Sequence, residues 1–146
     1  MDDDPALHAT LRDLPWVNCS EFVPESGLPY VSIDHRQAAI DAVQFLLNRG
    51  HKRIGLITAD ETYRWAQLRH EGYEQAMQRA GLKADAQLVR TAVSLDYEAG
   101  AQAVGGLLAL LQPPTAVFAV SDTLAIGAIK ALRRAGRRVP EDMAVL

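Results

Sequence analysis

Residues 51–82, HKRIGLITADETYRWAQLRHEGYEQAMQRAGL, decide the fold that we expect for this chain. The apolar run at 53–58 predicts a strand buried on both faces, as in a parallel sheet covered by helices. From about residue 66 to Gly81, small or apolar residues recur at every fourth position and predict a helix that lies close on that sheet: Leu68, Gly72, Ala76 and Ala80. The loop between strand and helix leaves the carboxyl end of the strand, where open α/β sheets bind their ligands. The stretch therefore predicts a βα unit with a candidate binding edge.

The same alternation of strand and helix continues on both sides of this unit. Apolar runs predict further strands, all parallel to the first, at 88–93, 115–120 and 143–146. Three further helices are predicted. One covers 37–49 and ends at Gly50, one runs from a cap at Ser94 or Asp96 to about 111, and one covers 122–135 and ends at Gly136. Alternating elements with short connections predict an α/β fold, a parallel, doubly wound sheet wrapped by helices.

The two ends of the chain are less complete than its middle. The first part is punctuated by prolines and predicts the end of a helix at 7–14 and short strands at 16–18 and 30–33. The last predicted strand has no covering element after it, and the first elements resemble the tail of an earlier βα unit. We therefore interpret the chain as a piece of a longer protein.

Composition limits the class of protein. With 146 residues and 49% hydrophobic content, the chain suits one packed domain. A net charge of −3 gives no electrostatic reason to expect this piece to bind nucleic acid. The acidic amino end does not resemble a signal peptide, and no apolar run approaches the roughly 20 residues of a membrane span. These features predict a soluble, cytoplasmic protein without a membrane partner.

Three residues near predicted strand ends are candidates for a ligand site. Arg69 lies in the first turns of its helix and either reaches back over the strand ends or forms a surface ion pair with Glu71 or Glu74. Trp65, in an otherwise polar loop, is either a lid on a small molecule or a plug under the loop. Ser121 lies where a nucleophile would sit, but it lacks a glycine-flanked elbow and an obvious histidine partner, which favours a helix N-cap.

Other constellations favour structural interpretations. No glycine motif that would cradle a phosphate is present, which argues against a Rossmann nucleotide site. The four histidines and Cys19 lack metal-ligand spacing, so we expect neither a metal nor a cofactor. The basic residues at 130–138 form a candidate nucleic-acid patch, but their place at a helix end favours a solvated face that complements the helix dipole.

These runs together resemble the effector-binding core of the LacI/GalR family of bacterial transcriptional repressors. The similarity covers nearly the whole chain beyond about residue 12, and the stretch at 21–43 is similar to the cytidine repressor branch. It rests on six runs in family order and spacing: VSIDHRQA at 31–38, GHKRIGLI at 50–57, RHEGY at 69–73, PTAVF at 114–118, SDTLAIGA at 121–128 and VPEDMAVL at 139–146. The resemblance implies a periplasmic-binding-protein-like (type I) fold, in which an effector is held between two lobes.

The resemblance also implies the residues of the ligand site. Arg69 matches the family arginine that grips the effector, and Ser121 matches a polar, ligand-facing position. Trp65 stands where a small hydroxyl residue is usual, and Leu95 where an aromatic residue often stacks on the ligand, so Trp65 is interpreted as supplying the stacking surface that Leu95 lacks. Asp34, which ends the predicted strand at 30–33, completes the expected ligand-binding set.

The function implied is that of an effector-sensing, dimerising domain that does no chemistry. Residues 1–34 would end the N-terminal effector lobe, and 35–146 would form most of the C-terminal lobe. The expected partners are a sugar or nucleoside effector, operator DNA through a headpiece outside this chain, and a second copy that packs on the helix carrying Ile126 and Ile129. The alternative is a periplasmic sugar-binding protein of the same fold; an α/β hydrolase-like or nucleotide-dependent enzyme is disfavoured.

Overall fold

The computed structural model describes residues 6, 9–10, 14–19, 27 and 29–146, in two compact units, Met1–Asp34 and His35–Leu146. In the first unit, strand β1 (Asn18–Cys19) pairs in parallel with β2 (Tyr30–Val31). The strands predicted at 16–18 and 30–33 are therefore present but shorter or displaced. Ala6, Ala9 and Thr10 are helical, and most of the helix predicted at 7–14 lies outside the described residues.

The second unit is built on a four-stranded sheet with the order β4-β3-β5-β6, and every neighbouring pair is parallel. Its elements run in chain order as α1 (His35–Asn48), β3 (Ile54–Thr58), α2 (Arg64–Arg79), a 3-10 turn (Ala86–Leu88), β4 (Val89–Thr91), α3 (Tyr97–Leu108), β5 (Ala116–Ala119), α4 (Asp122–Arg134) and β6 (Ala144–Val145). The four predicted parallel strands and the helices between them are confirmed, with shorter strands than expected.

Both faces of the central strands are covered. Every residue of β3 and of β5 is buried, which requires packing above and below the sheet. Helix α1 packs against α2, and α3 packs against α4. A Cβ added to Gly55 would lie 2.9 Å from Leu107 of α3, so that glycine lets the second helix pair approach the sheet closely.

The buried face of α2 differs from the predicted stripe of small residues. Leu68 is only half-buried and Ala80 is exposed, whereas Tyr73 and Met77 are fully buried. Gly72 does not face the sheet; a Cβ there would lie 2.5 Å from the carbonyl oxygen of Arg36 in α1. The small residue therefore serves a helix–helix contact, and larger side chains fill the space over the sheet.

Glycines also bring α3 and α4 into backbone contact. A Cβ on Gly127 of α4 would lie 2.8 Å from the carbonyl carbon of Tyr97, and one on Gly100 of α3 would lie 2.8 Å from the Cα of Leu124. Each helix thus places a glycine against the backbone of the other. No side-chain layer separates the two helices at this crossing.

The helix ends follow the predicted signals. Gly50, Gly81 and Gly136 have φ values of 91°, 71° and 73°, the left-handed conformation that glycine adopts most easily after a helix. Of the two caps considered for α3, the side chain of Asp96 accepts a hydrogen bond from the amide of Ala99 at 2.8 Å. These ends fix where each helix starts and stops relative to the strands.

The carboxyl ends of the parallel strands meet at one edge of the sheet. Pairing continues past the strands there: the amide of Val120 donates to the carbonyl of Ile57 at 2.9 Å, and that of Ala119 to Leu146 at 2.8 Å. The binding edge predicted from the sequence is therefore an ordered surface, from which α2 and α4 begin.

No described helix is long and apolar enough to cross a membrane.

Candidate functional site

A cleft of about 370 Å³ opens at the carboxyl end of β5. Its polar side chains are Arg69, Ser121 and Asp122, which come from α2 and from the start of α4. The rest of its lining is apolar or main chain, from α1, the end of β5, α4 and the last residue: Ala38, Ala39, Phe118, Ala119, Val120, Ala125 and Leu146. A few polar groups over an apolar wall are typical of a small-molecule site.

Arg69 is held in place from three sides. Its Nη1 donates to the main-chain carbonyl of Val120, and its Nη2 lies 3.2 Å from Nδ1 of His35 at the start of α1. The guanidinium carbon lies 5.1 Å from the ring centroid of Trp65, one turn earlier in α2. Because the planar guanidinium has several fixed donors, these contacts orient it as a unit.

Burial and charge act on Arg69 in opposite directions. Partial burial lowers the pKa of Arg69, because it disfavours the cation, and the negative charge of Asp122 works against this by stabilising it. An arginine stays protonated in either case. The cleft therefore contains a fixed cation with restricted hydration, a strong donor for a ligand oxygen.

Ser121 and Asp122 come from the turn between β5 and α4. The backbone of Ser121 is extended, and its Oγ accepts from the amide of Leu124 at 3.4 Å, which confirms the predicted N-cap. The cap uses one acceptor position of a hydroxyl that also has a donor. Asp122 is exposed in the first turn of α4 and offers a carboxylate acceptor at the positive end of the helix.

Trp65 is 9% exposed and belongs to the hydrophobic core. Its ring stacks on the ring of Tyr63, with centroids 5.7 Å apart. The guanidinium of Arg69 also lies over the Trp65 ring. Trp65 does not line the cleft. Of the two sequence interpretations, the plug under the loop describes the position of Trp65. Trp65 contacts Arg69, and Arg69 in turn lines the cleft.

Leu95 and Asp34 lie apart from the other candidates. Leu95 is 41% exposed in the connection between β4 and α3 and does not line the cleft, and Asp34 belongs to the first unit. The structure thus brings Arg69 and Ser121 to one cleft, with Trp65 behind Arg69. Ligand contact by any of the five residues stays a prediction.

The surface ion pair considered for Arg69, with Glu71 or Glu74, is not observed. Glu71 accepts from Nε of Arg36 at 3.0 Å, and Glu74 lies 3.8 Å from His70.

No group of three potential metal ligands occurs among the described residues. The basic residues at 133–138 are exposed, as the solvated-face interpretation expects.

Sequence reasoning missed two members of the site. His35 was considered only among the possible metal ligands, and Asp122 was not singled out as a ligand-binding residue. Asp122 could have been found, because it follows Ser121 at the same predicted strand end. The role of His35 depends on how α1 packs on α2, which no local pattern in the sequence reveals.

Comparison with known proteins places this geometry in a family. The sequence profile of the periplasmic binding protein-like domain matches residues 43–146. The HTH-type transcriptional repressor CytR of Escherichia coli is 45% identical over 132 residues, which cover 90% of this chain and 38% of CytR. The chain spans about two fifths of the length of such curated relatives.

Solved structures agree. A regulatory protein of the LacI family from Chloroflexus aggregans superposes with a TM-score of 0.88 at 32% identity, covering 98% of this chain and 52% of that one. The complex of transcriptional regulator CelR with cellobiose superposes with a TM-score of 0.79 at 35% identity, covering 90% and 40%. This chain belongs to the LacI family of transcriptional regulators, within the periplasmic-binding-protein-like domain.

Proposed function

We propose that this chain is the effector-sensing part of a LacI-type transcriptional repressor and that it binds a sugar or a nucleoside in the cleft of Arg69. The observation that carries the proposal is the oriented, half-buried guanidinium beside the hydroxyl of Ser121 and the carboxylate of Asp122. Such a ligand presents hydroxyl groups that both donate and accept, together with apolar ring faces. The cleft offers partners for each.

The size of the site suits this class of ligand. A cleft of about 370 Å³ is within the range usual for small-molecule sites. The cellobiose bound by CelR is a sugar held by a protein of the same fold, which supports the proposal. Arg69 would donate to ligand oxygens, Ser121 and Asp122 would exchange hydrogen bonds with hydroxyls, and Phe118 would contact a ring face.

The remaining expected residues would act from around this cleft. We assign residues 1–34 to the end of an N-terminal effector lobe and 35–146 to most of the C-terminal lobe. Asp34 and Leu95 would then contact the effector from outside the cleft lining, and Trp65 would act by supporting Arg69. Ligand binding would bias the closure of the lobes, and closure would change the spacing of a DNA-binding headpiece on operator DNA.

The protein would work in the cytoplasm as a homodimer and without catalysis. The helix α4 supports self-association, because Ile126 is 40% exposed and lies on the same helix as the half-buried Ile129. The Ser121 hydroxyl serves as a helix cap in this geometry, which supports a binding role rather than nucleophilic attack. The relatives carry regulator names, so the periplasmic sugar-binding alternative is not the better supported of the two.

The test starts from the full-length protein and a panel of nucleosides and sugars, screened by thermal shift. A binder should raise the melting temperature and change the affinity of the protein for its operator in a gel-shift assay. A panel without any binder, or a binder whose affinity is independent of Arg69, would contradict the proposal. Calorimetry on the Arg69→Ala variant supplies that second measurement.

A further inference from the structure

A second cavity, of about 510 Å³, opens at the amino edge of the four-stranded sheet, opposite the edge that holds Arg69. Arg53, directly before β3, lines it together with Asp85 and Gln87 at the start of the 3-10 turn that leads into β4. Residues 109–112, which follow α3 and precede β5, complete the lining. The cavity is larger than the cleft of Arg69, and the proposed function gives it no role.

The guanidinium of Arg53 is held in this cavity by contacts with two other segments. Its Nε donates to the main-chain carbonyl of Gln112 at 2.8 Å, and its Nη1 lies 3.4 Å from Oδ2 of Asp85. These contacts use two of the five N–H donors of a guanidinium, and no described residue accepts from the other three. Because the group is planar and is held on one side, its remaining donors form an oriented edge that is open to a ligand.

Asp85 is held as firmly as its partner. Its Oδ1 accepts from the amide of Gln87 at 3.0 Å and so caps the 3-10 turn, while Oδ2 faces Arg53. A carboxylate has about four acceptor sites, so both oxygens can accept a further donor. The side chains of Arg53 and Asp85 are 31% and 39% exposed, which leaves the pair accessible to a small molecule.

The charges of the pair disfavour an anion as the ligand. Asp85 already balances the charge of Arg53, and a carboxylate or phosphate drawn to the guanidinium would lie beside a second negative charge. A neutral ligand meets no such repulsion. The group that complements the pair is therefore an acceptor for Arg53 and a donor for Asp85, placed side by side.

A cyclic amide supplies both groups on one edge of a planar ring. Its carbonyl oxygen accepts, the adjacent N–H donates, and the ring keeps the two on the same side. Apolar side chains in the lining suit the ring itself, since Leu110 is half-buried and Leu111 is exposed in the loop after α3. Oriented polar groups beside an apolar surface are typical of a small-molecule site.

We propose that the cavity at the amino edge is a second ligand site, which binds a small planar cyclic amide. The ring carbonyl accepts from Arg53, the ring N–H donates to Asp85, and the ring face lies against Leu110 or Leu111. This assignment does not depend on the proposed function, because no residue of this cavity lines the cleft of Arg69. The chain then has separate sites at the two edges of one sheet.

Titration of the full chain with 2-pyridone, followed by amide NMR, tests the site with a minimal cyclic amide. We expect saturable shifts of the amides at 85–88 and 109–112, with a dissociation constant on the order of millimolar for so small a ligand. The amides at 120–122, beside Arg69, should not shift. N-methyl-2-pyridone keeps the ring and the carbonyl but lacks the donor, so it should bind about tenfold more weakly.

Two substitutions test the roles of the pair. Asp85→Asn keeps a capping residue for the 3-10 turn but removes the charge, so it should weaken 2-pyridone binding about fivefold and allow acetate to shift the same amides. Arg53→Lys keeps the charge but loses the fork of donors, and it should weaken 2-pyridone binding about tenfold. Lys52→Gln is the control, since Lys52 is exposed and does not line the cavity, and it should leave binding unchanged.

Several results would overturn the proposal. Equal binding of 2-pyridone and N-methyl-2-pyridone would show that the ring N–H has no partner, and acetate that binds the parent as well as 2-pyridone would make the cavity an anion site. Shifts at 120–122 alone would place the compound in the cleft of Arg69 and refute a second site. Absence of any saturable shift at 85–88 and 109–112 would leave Arg53 as a structural tie between β3 and the loop after α3.

Discussion

The guanidinium of Arg69 donates to the main-chain carbonyl of Val120, which ties α2 to the end of β5. The next residue along the chain is Ser121, which caps α4. One side chain therefore links the two helices that begin at the binding edge. The link lies beside the polar residues of the cleft. This arrangement makes Arg69 both a candidate ligand contact and a part of the framework.

Loss of the guanidinium should weaken ligand binding in the full-length protein. Arg69→Ala removes a charged donor, and we expect a loss of about 1.5–3 kcal/mol, or roughly ten- to a hundredfold in affinity, by calorimetry. Arg36→Ala is the matched control, because Arg36 forms a pair with Glu71 on the surface, where such pairs contribute little. Equal losses in the two variants would show that the effect is not specific to the cleft.

The close crossing of α3 and α4 predicts opposite effects for two glycine substitutions. Gly127→Ala forces a Cβ against the backbone of Tyr97 and should lower the free energy of unfolding by about 1–3 kcal/mol. Gly105→Ala, on the exposed face of α3 with open space around it, should raise it by about 0.5–1 kcal/mol, because alanine favours helix. Urea unfolding followed by circular dichroism measures both. Similar values for the pair would contradict the crossing.

The buried hydroxyl of Tyr73 should make stability depend on alkaline pH. It donates to the carbonyl of Ile54 at 2.8 Å, and burial, with the charges of Asp85 and Glu74, raises the pKa of Tyr73 to about 12. A raised pKa favours the protonated form in the folded state, so its contribution is complete below about pH 10, the unfolded value, and is lost as the pH rises through about 12.

The expected loss across this window is about 3 kcal/mol, from a shift of roughly two pKa units. Tyr73→Phe lacks the titrating group and should lose less stability between pH 10 and 12 than the parent, although it is less stable at pH 7 by about 1 kcal/mol. Denaturant unfolding at each pH measures the difference. Parallel curves for parent and variant would exclude Tyr73 as the cause.

Asp142 should titrate at unusually low pH. Hydrogen bonds from the side chain and amide of Arg138 lower the pKa of Asp142 to about 2, and the closest pair is 2.7 Å apart. Arg138→Ala should therefore raise that pKa toward the ordinary value, whereas Arg134→Ala should not change it as much, since Arg134 forms no such pair with Asp142. Carboxyl carbon NMR between pH 1.5 and 6 reads the value directly, and an unshifted Asp142 in the parent would refute the contact.

Self-association through α4 should depend on its exposed apolar residue. Ile126→Glu should shift the full chain toward monomer, because it buries a charge in the proposed interface. Leu111→Glu is the control, since Leu111 is fully exposed in the connection after α3 and should leave the mass unchanged. Light scattering at tens of micromolar compares the two. A parent that is already monomeric there would end the dimer hypothesis.

The fold could be predicted largely from local patterns, because short apolar runs, glycine stops and capping residues are encoded at the positions that they affect. Ser121 and Asp96 illustrate this, since each caps the helix that directly follows it. Arg69 and Ser121 could be predicted to share an edge for a topological reason, since parallel strands end on the same side.

Tertiary contacts were the part that the sequence did not reveal. Tyr73 was not part of the predicted stripe, and its hydroxyl finds its acceptor, the carbonyl of Ile54, on a different element. The stripe through Gly72 was assigned to the sheet although α1 takes that contact. His35 and Arg69 are far apart in sequence, and only the packing of α1 on α2 brings them together.

The reciprocal glycine contact between α3 and α4 has a mechanical consequence. Where backbone lies against backbone, no side chain can change rotamer to accommodate a shift, so we expect the two helices to move together at Gly100 and Gly127. Ser121 lies at one end of this helix pair, in the cleft, and Tyr97 and Ile126 lie along its outer side. We therefore expect a displacement at the cap of α4 to move α3 together with α4, and with them the exposed side chains of Tyr97 and Ile126.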